Sequence, residues 1–332
     1  MKNAFFIILI FFSIQEVAAQ TVPDQYKNVD QLIWVVNNLD RTINGWKNFG
    51  FDEVTKFDTV SVHSGNDKAS FKALCAKANL GGAQITWIQP LDQNSIFAEF
   101  LKEYGDGVMS IVHRLNGQYE LNREISRLNV LGVSKLDEIT ITTSKGVIYY
   151  VFLDTYQKGK YVLGLSCNEL DQNYFSLLSN ENSNNLVLSQ YAFAIEDETQ
   201  ISNYWHKLGL PRITSSPISL RKTVYHNERT DFKVNLGWQL HGAIPYEWVI
   251  PKKLPTIHMD HIQKHGEGFH HLGFDIKEIE PVLRYFKKQE IDIISEGAWG
   301  DENKPGSGEF MYMDTDKYGG VILELIWKYK EN

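Results

Sequence analysis

Short runs of alternating or continuous apolar residues give way to helical spacing, and this exchange recurs along the chain. Leu32 to Val36 predicts a strand and Leu39 to Phe49 a helix. Three strand-like stretches follow, the last over Ile85 to Ile88. Ile96, Phe97, Phe100, Leu101 and Tyr104 then fall on one helix face. A strand over Val108 to Val112, a helix from about Gln118 and three strands ending at Tyr161 to Leu165 complete the first half. The later half repeats this order and closes with Glu309 to Met313 and Val321 to Trp327. Each half reads as two βαβββ modules, an α+β architecture.

The doubling is visible residue by residue. Trp87, Pro90, Ile96, Gly105 and Gly107 fall on Trp248, Pro251, Ile257, Gly266 and Gly268, all displaced by 161 positions. Nearer the start of each half, Gln31, Trp46 and Gly50 fall on Gln190, Trp205 and Gly209, displaced by 159. Near-constant offsets over such a distance mark an internal duplication. The Asn- and Ser-rich stretch from Asp171 reads as the linker. The expected plan is a signal peptide over residues 1–19, a first domain over 24–170, a linker over 171–186 and a second domain over 187–330.

Composition narrows the function classes. The chain has 332 residues, 43% of them hydrophobic, and a formal net charge of -8. Nucleic-acid binding rests on a concentrated Lys/Arg surface, and none is present in the sequence. Lys2, the apolar run from Ala4 to Ile14 and the small residues Val17, Ala18 and Ala19 resemble an export signal. A periplasmic or secreted protein is expected, without a membrane anchor once the signal is cleaved. Cys75 and Cys167 can pair in an oxidising compartment or remain buried thiols.

GEGFHHLGFDI, then a helix from Ile279 to Gln289, a loop and MYMDTDKYGGVILELI resemble the vicinal oxygen chelate superfamily. Within it the likeness is greatest to glyoxalase I and methylmalonyl-CoA epimerases. The preceding YEWVIP and its helix share the resemblance, which spans nearly the whole mature chain. It implies two tandem domains, each a cupped mixed sheet, with one divalent metal held inside. Carried onto this chain, the ligands are Gln190, Glu247, His271 and Glu324, with Glu247 or Glu324 as the catalytic base. Strand alternation is compatible: Tyr191, Phe193 and Ile195 share one face and leave Gln190 on the other, and His271, Gly273 and Asp275 oppose Leu272, Phe274 and Ile276. Small residues beside the ligands are expected to leave room for a substrate. Many of the epimerases have His at the first position, where this chain has Gln190.

A set of one His, two Glu and one Gln suits a borderline or hard ion such as zinc, nickel, cobalt, manganese or iron. In the first domain the same positions hold Gln31, Thr86, Ser110 and about Gly164, a poor donor set. This plan of an inert first half and a metal-bearing second is similar to that of the hydroxyphenylpyruvate dioxygenases. The chemistry the family implies is isomerisation, epimerisation or lyase-type proton transfer through an enediolate, on a small oxygenated molecule such as a sugar, keto-acid or hydroxy-acid. Two rivals remain: an extradiol-type dioxygenase, which wants two His and one carboxylate, and a metal-free small-molecule binder. The duplicated chain is expected as a monomer mimicking a dimer, or as a homodimer.

Other residues invite chemistry. His258, His261 and His265 lie on one helix face, where the duplicate has Phe97, Phe100 and Tyr104, so packing is the simpler expectation. Alternation turns His270 away from His271, toward the helix layer or the turn. His226, Glu228 and Arg229 mark a hairpin that could orient an anion or simply be solvated. The Gly/Pro/Asp-rich stretch from Gly297 has the composition of a lid.

Overall fold

A computed structural model of the chain describes residues 21–64, 70–143, 146–168 and 182–330. The expected signal peptide and residues 169–181, which include most of the linker, lie outside the described residues. The first half contains β1 (Gln31–Val35), α1 (Leu39–Asn48), β2 (Val54–Ser64), β3 (Phe71–Leu80), β4 (Ala83–Pro90) and α2 (Ile96–Tyr104). It continues with β5 (Gly107–Arg114), α3 (Gln118–Val130), β6 (Lys135–Thr143), β7 (Gly146–Leu153), α4 (Tyr156–Gly159) and β8 (Val162–Asn168). The second half opens with β9 (Val187–Ala194), α5 (Glu198–Leu208), β10 (Thr214–Pro217), β11 (Leu220–Tyr225), β12 (Glu228–Arg229), β13 (Lys233–Gln239) and β14 (Tyr246–Lys253). Then come α6 (Ile257–His265), β15 (Gly268–Ile276), α7 (Ile279–Lys288), β16 (Ile293–Trp299), β17 (Gly308–Met313) and β18 (Ile322–Lys328). Among the described residues no helix is long and apolar enough to cross a membrane.

Helix starts are set locally and repeat between the halves. Asn38 and Asp197 cap α1 and α5 by accepting the backbone N–H of Arg41 and Thr199, and Ser95 and Thr256 cap α2 and α6 through those of Ala98 and Met259. The first sheet is a closed barrel in the order β1-β4-β3-β2-β6-β7-β8-β5, and the second has ten strands, β10-β13-β14-β9-β15-β18-β17-β16-β11-β12. In each half the first strand of a module pairs in parallel with its last: β1 with β4, β5 with β8, β9 with β14 and β15 with β18. The halves differ at one strand. The long β2 pairs with both β3 and β6, whereas its counterpart breaks after Pro217, leaving β10 on β13 while β11 crosses to β16. Proline lacks the N–H that would continue the ladder.

One buried cluster runs through both halves on the helix-covered side of the sheets, and the two cup interiors form separate clusters. The halves dock reciprocally. Trp46 on α1 donates its indole N–H to Tyr318 O at 3.2 Å, and Trp205 on α5 donates to Gly159 O at 3.0 Å. Both indoles are fully buried. Glycine is needed on each side: a Cβ on Gly45 would lie 2.3 Å from the Tyr318 ring, and one on Gly159 would lie 2.4 Å from the Trp205 ring. Such exchanged contacts are those of a two-fold dimer interface, here within one chain. Cys75 and Cys167 are free thiols.

Candidate metal centre

The second cup gathers its polar groups from four central strands. Gln190 (β9), Glu247 (β14), His271 (β15) and Glu324 (β18) are all buried. The Gln190 side chain donates to Glu247 Oε2 at 2.8 Å and to Glu324 Oε2 at 2.9 Å. His271 Nε2 lies 3.2 Å from Glu247 Oε2 and 3.1 Å from Glu324 Oε2. It is nevertheless aligned for a hydrogen bond with neither, so a buried ring nitrogen points between two carboxylates. Glu247, His271 and Glu324 each bring one donor atom within 4.8 Å of the others. Turning over the Gln190 amide would offer its carbonyl oxygen to the same point.

This arrangement fits a divalent cation. Two carboxylates balance its charge, and imidazole with oxygen donors is a set that borderline ions accept. Burial pushes the Glu247 carboxyl up, His271 opposes that shift and the like charge of Glu324 adds to it. Burial acts against the charged form of His271, but Glu324 and Glu247 raise it to about 9. Tyr312 on β17 stands directly across the ladder from Glu324, its hydroxyl beside that carboxylate, and burial raises its pKa far above the usual phenol value. Sequence reading missed Tyr312. Its only signal was its position in the strand MYM, on the cup side of the sheet.

Two expectations change on the structure. The ladder between β9 and β15 shifts register between Phe269 and His271, which leaves His270 as a bulged residue. His270 therefore does not turn to the outer helix layer. It stays on the inner side with His271, its Nδ1 2.7 Å from His271 Nδ1, and packs against His258 and His261 of α6 at ring separations of 4.7 and 4.9 Å. Of the α6 histidines, His258 and His261 are thus buried against the inner residues of the cup, while His265 turns to the other half, its Nδ1 2.7 Å from Tyr104 O. Secondly, Gly273 does not leave room for substrate: a Cβ there would lie 2.4 Å from Gln190 Cγ, so the space holds the ligand's own stem.

The site opens into a cavity of about 330 Å³. Ile218, Leu220, Phe232, Val234, Leu236, Val249 and Phe310 form apolar walls, with Trp238, Trp299 and Tyr312 among them, and the polar lining comes from Gln190, Glu247, Glu324, His258, Ser189 and Lys328. Ile218 and Leu220 flank the break after Pro217. His226, Glu228 and Arg229 lie in or beside the exposed β11–β12 hairpin and do not join the site. The loop between β16 and β17 is tied to β11 by Arg221, which donates to Gly300 O at 2.7 Å, and by a Lys222–Glu302 ion pair at 2.5 Å.

The first cup spends its donors internally. Thr86 donates to Gln31 Oε1 at 2.6 Å, and Gln31 donates to Tyr150 Oη at 3.0 Å. Gly164 takes the register position of Glu324, and a Cβ there would lie 2.7 Å from Ser110 Oγ. Phe71, Phe97, Tyr150 and Phe152 pack together in the interior.

No family model and no curated protein matches the sequence. Among solved structures, a mutant of 4-hydroxymandelate synthase from Streptomyces coelicolor is similar with a TM-score of 0.60 and 13% identity, over 92% of this chain and 94% of that one. The fold is that of the vicinal oxygen chelate superfamily. More distant likenesses are catechol 2,3-dioxygenase (TM-score 0.47, 13% identity, 93% and 89% of the two chains) and a Mn(II)-bound glyoxalase from Novosphingobium aromaticivorans (0.47, 11%, 92% and 83%). At such identities the similarity of this chain to its neighbours concerns the fold, and chemistry has to be argued from the side chains.

Proposed function

We propose that this protein is a metal-dependent isomerase, epimerase or lyase that moves a proton beside a carbonyl of a small substrate. The carrying observation is the convergence of Gln190, Glu247, His271 and Glu324 on one point beside a largely apolar cavity that Ser189 and Lys328 also line. A divalent cation bound there supplies Lewis-acid stabilisation of the oxyanion that develops as the proton leaves. Either Glu247 or Glu324 takes that proton, since both carboxylates face the cavity. Tyr312, on the same wall, is a neutral donor for a substrate oxygen. The largely apolar walls offer few partners to sugar hydroxyls, which favours a hydroxy- or keto-acid with an apolar body over a sugar. Export to the periplasm or medium, and a monomeric state that mimics a dimer, belong to the same proposal. The signal-like first residues and the reciprocal tryptophans support them.

Metal content and solvent-deuterium exchange test the reading together. Full-length protein repleted with Mn(II), Zn(II) or Ni(II) should retain one divalent ion at this site and incorporate deuterium beside the carbonyl of α-hydroxy- or α-keto-acids. His271→Ala and Glu324→Ala should lose both properties. Full metal retention by both variants would reject the site. Oxygen consumption by the Fe(II) form would indicate the dioxygenase, and failure of wild type to retain metal would indicate a binder.

A further inference from the structure

We propose that the second cup carries a further cation site, formed by His258, His270 and His271, for a soft ion of low charge such as Cu(I). The inference goes beyond the proposed activity and rests on it only through the shared ring of His271. Each imidazole places a nitrogen within 4.8 Å of the other two, and all three rings are buried. His258 is 3% exposed, and neither of its ring nitrogens has a hydrogen-bond partner. An unpaired buried polar atom carries a desolvation penalty, which a cation taking the lone pair offsets.

Packing alone does not require these rings. At the matching positions the first cup has Phe97 and Met109, both buried, with Phe97 set edge-on to Phe71 and Phe152. The second cup thus builds a polar cluster where the same backbone closes over hydrocarbon and sulfur. The bulge at His270 brings two consecutive imidazoles to the α6 side.

The donor set selects the ion. Neutral His258 and His270 bring no charge and a deprotonated His271 brings one negative charge, and Glu247 and Glu324 lie on the far side of His271, at its Nε2. Burying an ion costs energy that rises steeply with its charge, so a monovalent ion is favoured over a divalent one. Imidazole is a good copper ligand. With both sites filled, His271 would lose its ring proton to solvent, and the resulting imidazolate would offer Nε2 to the Glu247 and Glu324 side and Nδ1 to the His258 and His270 side.

Anaerobic Cu(I) titration of the full chain loaded with Mn(II), in competition with a chromophoric Cu(I) chelator, tests this directly. Wild type should bind one Cu(I) while keeping its Mn(II) signal, and X-ray absorption should show imidazole scattering at copper. His258→Phe restores the residue of the first cup; it should keep Mn(II) and weaken Cu(I) binding by at least about 100-fold, the upper end of the effect of altering a metal's surroundings. Glu324→Ala should lose Mn(II) and keep Cu(I), which separates failure of this site from failure of the proposed active site. Sulfur scattering at copper, no Cu(I) uptake by wild type, or unchanged uptake by His258→Phe would each overturn the proposal. The absorption measurement on wild type stands even if the variant does not fold.

Discussion

Where the second cup sets Glu324 across the ladder from Tyr312, the first sets Gly164 across from Phe152. Where the second has His271, the first has Ser110, whose hydroxyl has no hydrogen-bond partner. At these central strands the backbone pairing is the same, yet one interior packs aromatic rings around a short Thr86–Gln31–Tyr150 hydrogen-bond chain, and the other opens into a cavity with two carboxylates. The comparison teaches that this curved sheet holds its shape without a carboxylate at the Glu247 and Glu324 positions or an imidazole at that of His271. The carboxylates and imidazoles of the second cup are therefore additions to a scaffold that folds without them, and they impose a desolvation cost.

The largest expected effect concerns what the two halves share. Trp46→Ala and Trp205→Ala should each lower unfolding free energy by about 3–5 kcal/mol, as removal of a buried aromatic does. Chemical denaturation should give similar values for both, and a much smaller loss for one would break the reciprocity of the docking. Next, His271→Ala should reduce divalent-metal affinity by more than about 100-fold, whereas Ser110→Ala should leave metal content unchanged. Equilibrium dialysis with elemental analysis reads the difference.

Small residues sharpen the contrast further. Gly164→Ala forces a methyl against Ser110 and Val112 and should cost about 1–3 kcal/mol of stability with no effect on metal. Gly273→Ala presses on Gln190 instead and should weaken metal binding as well as stability. Glu247→Gln should stabilise the metal-free protein by on the order of 1 kcal/mol, by removing one of two adjoining buried carboxylates. It should also abolish the rise in melting temperature on adding Mn(II).

The smallest effect lies at the seam between the halves. Burial disfavours ionisation of Asp316, but His265 and Lys264 hold its carboxyl below the ordinary value of 3.8. A depressed pKa stabilises the fold above the unfolded value, and that contribution fades as pH falls through the folded one. Asp316→Asn should therefore melt below wild type at neutral pH, with the gap narrowing under acid conditions below 3.8.

Much of this was legible in the chain. Strand and helix order followed from periodicity, because burial on one face of an element leaves a local pattern. The offsets of 161 and 159 positions aligned the halves and located the weak donor set of Gln31, Thr86, Ser110 and Gly164. Legibility failed where local periodicity was interrupted. One extra residue at the bulge put His270 on the side opposite to that which alternation requires. Tyr312 and the apolar walls were missed because each is an ordinary strand residue until strands distant in sequence curl around a common space.

The sequence by itself determined two repeated α+β halves and the positions that could carry polar groups, since these depend on period and order along the chain. Tertiary structure alone decided that Gln190, Glu247, His271 and Glu324 meet at one point, because their meeting depends on parallel pairing of β9 with β14 and β15 with β18 and on the antiparallel contact of β9 with β15. It also decided that Phe71, Phe97, Tyr150 and Phe152 pack together in one cup while the other opens into a cavity of about 330 Å³. Occupancy of an interior is settled by side-chain volumes summed across many strands, which no local stretch of the chain records.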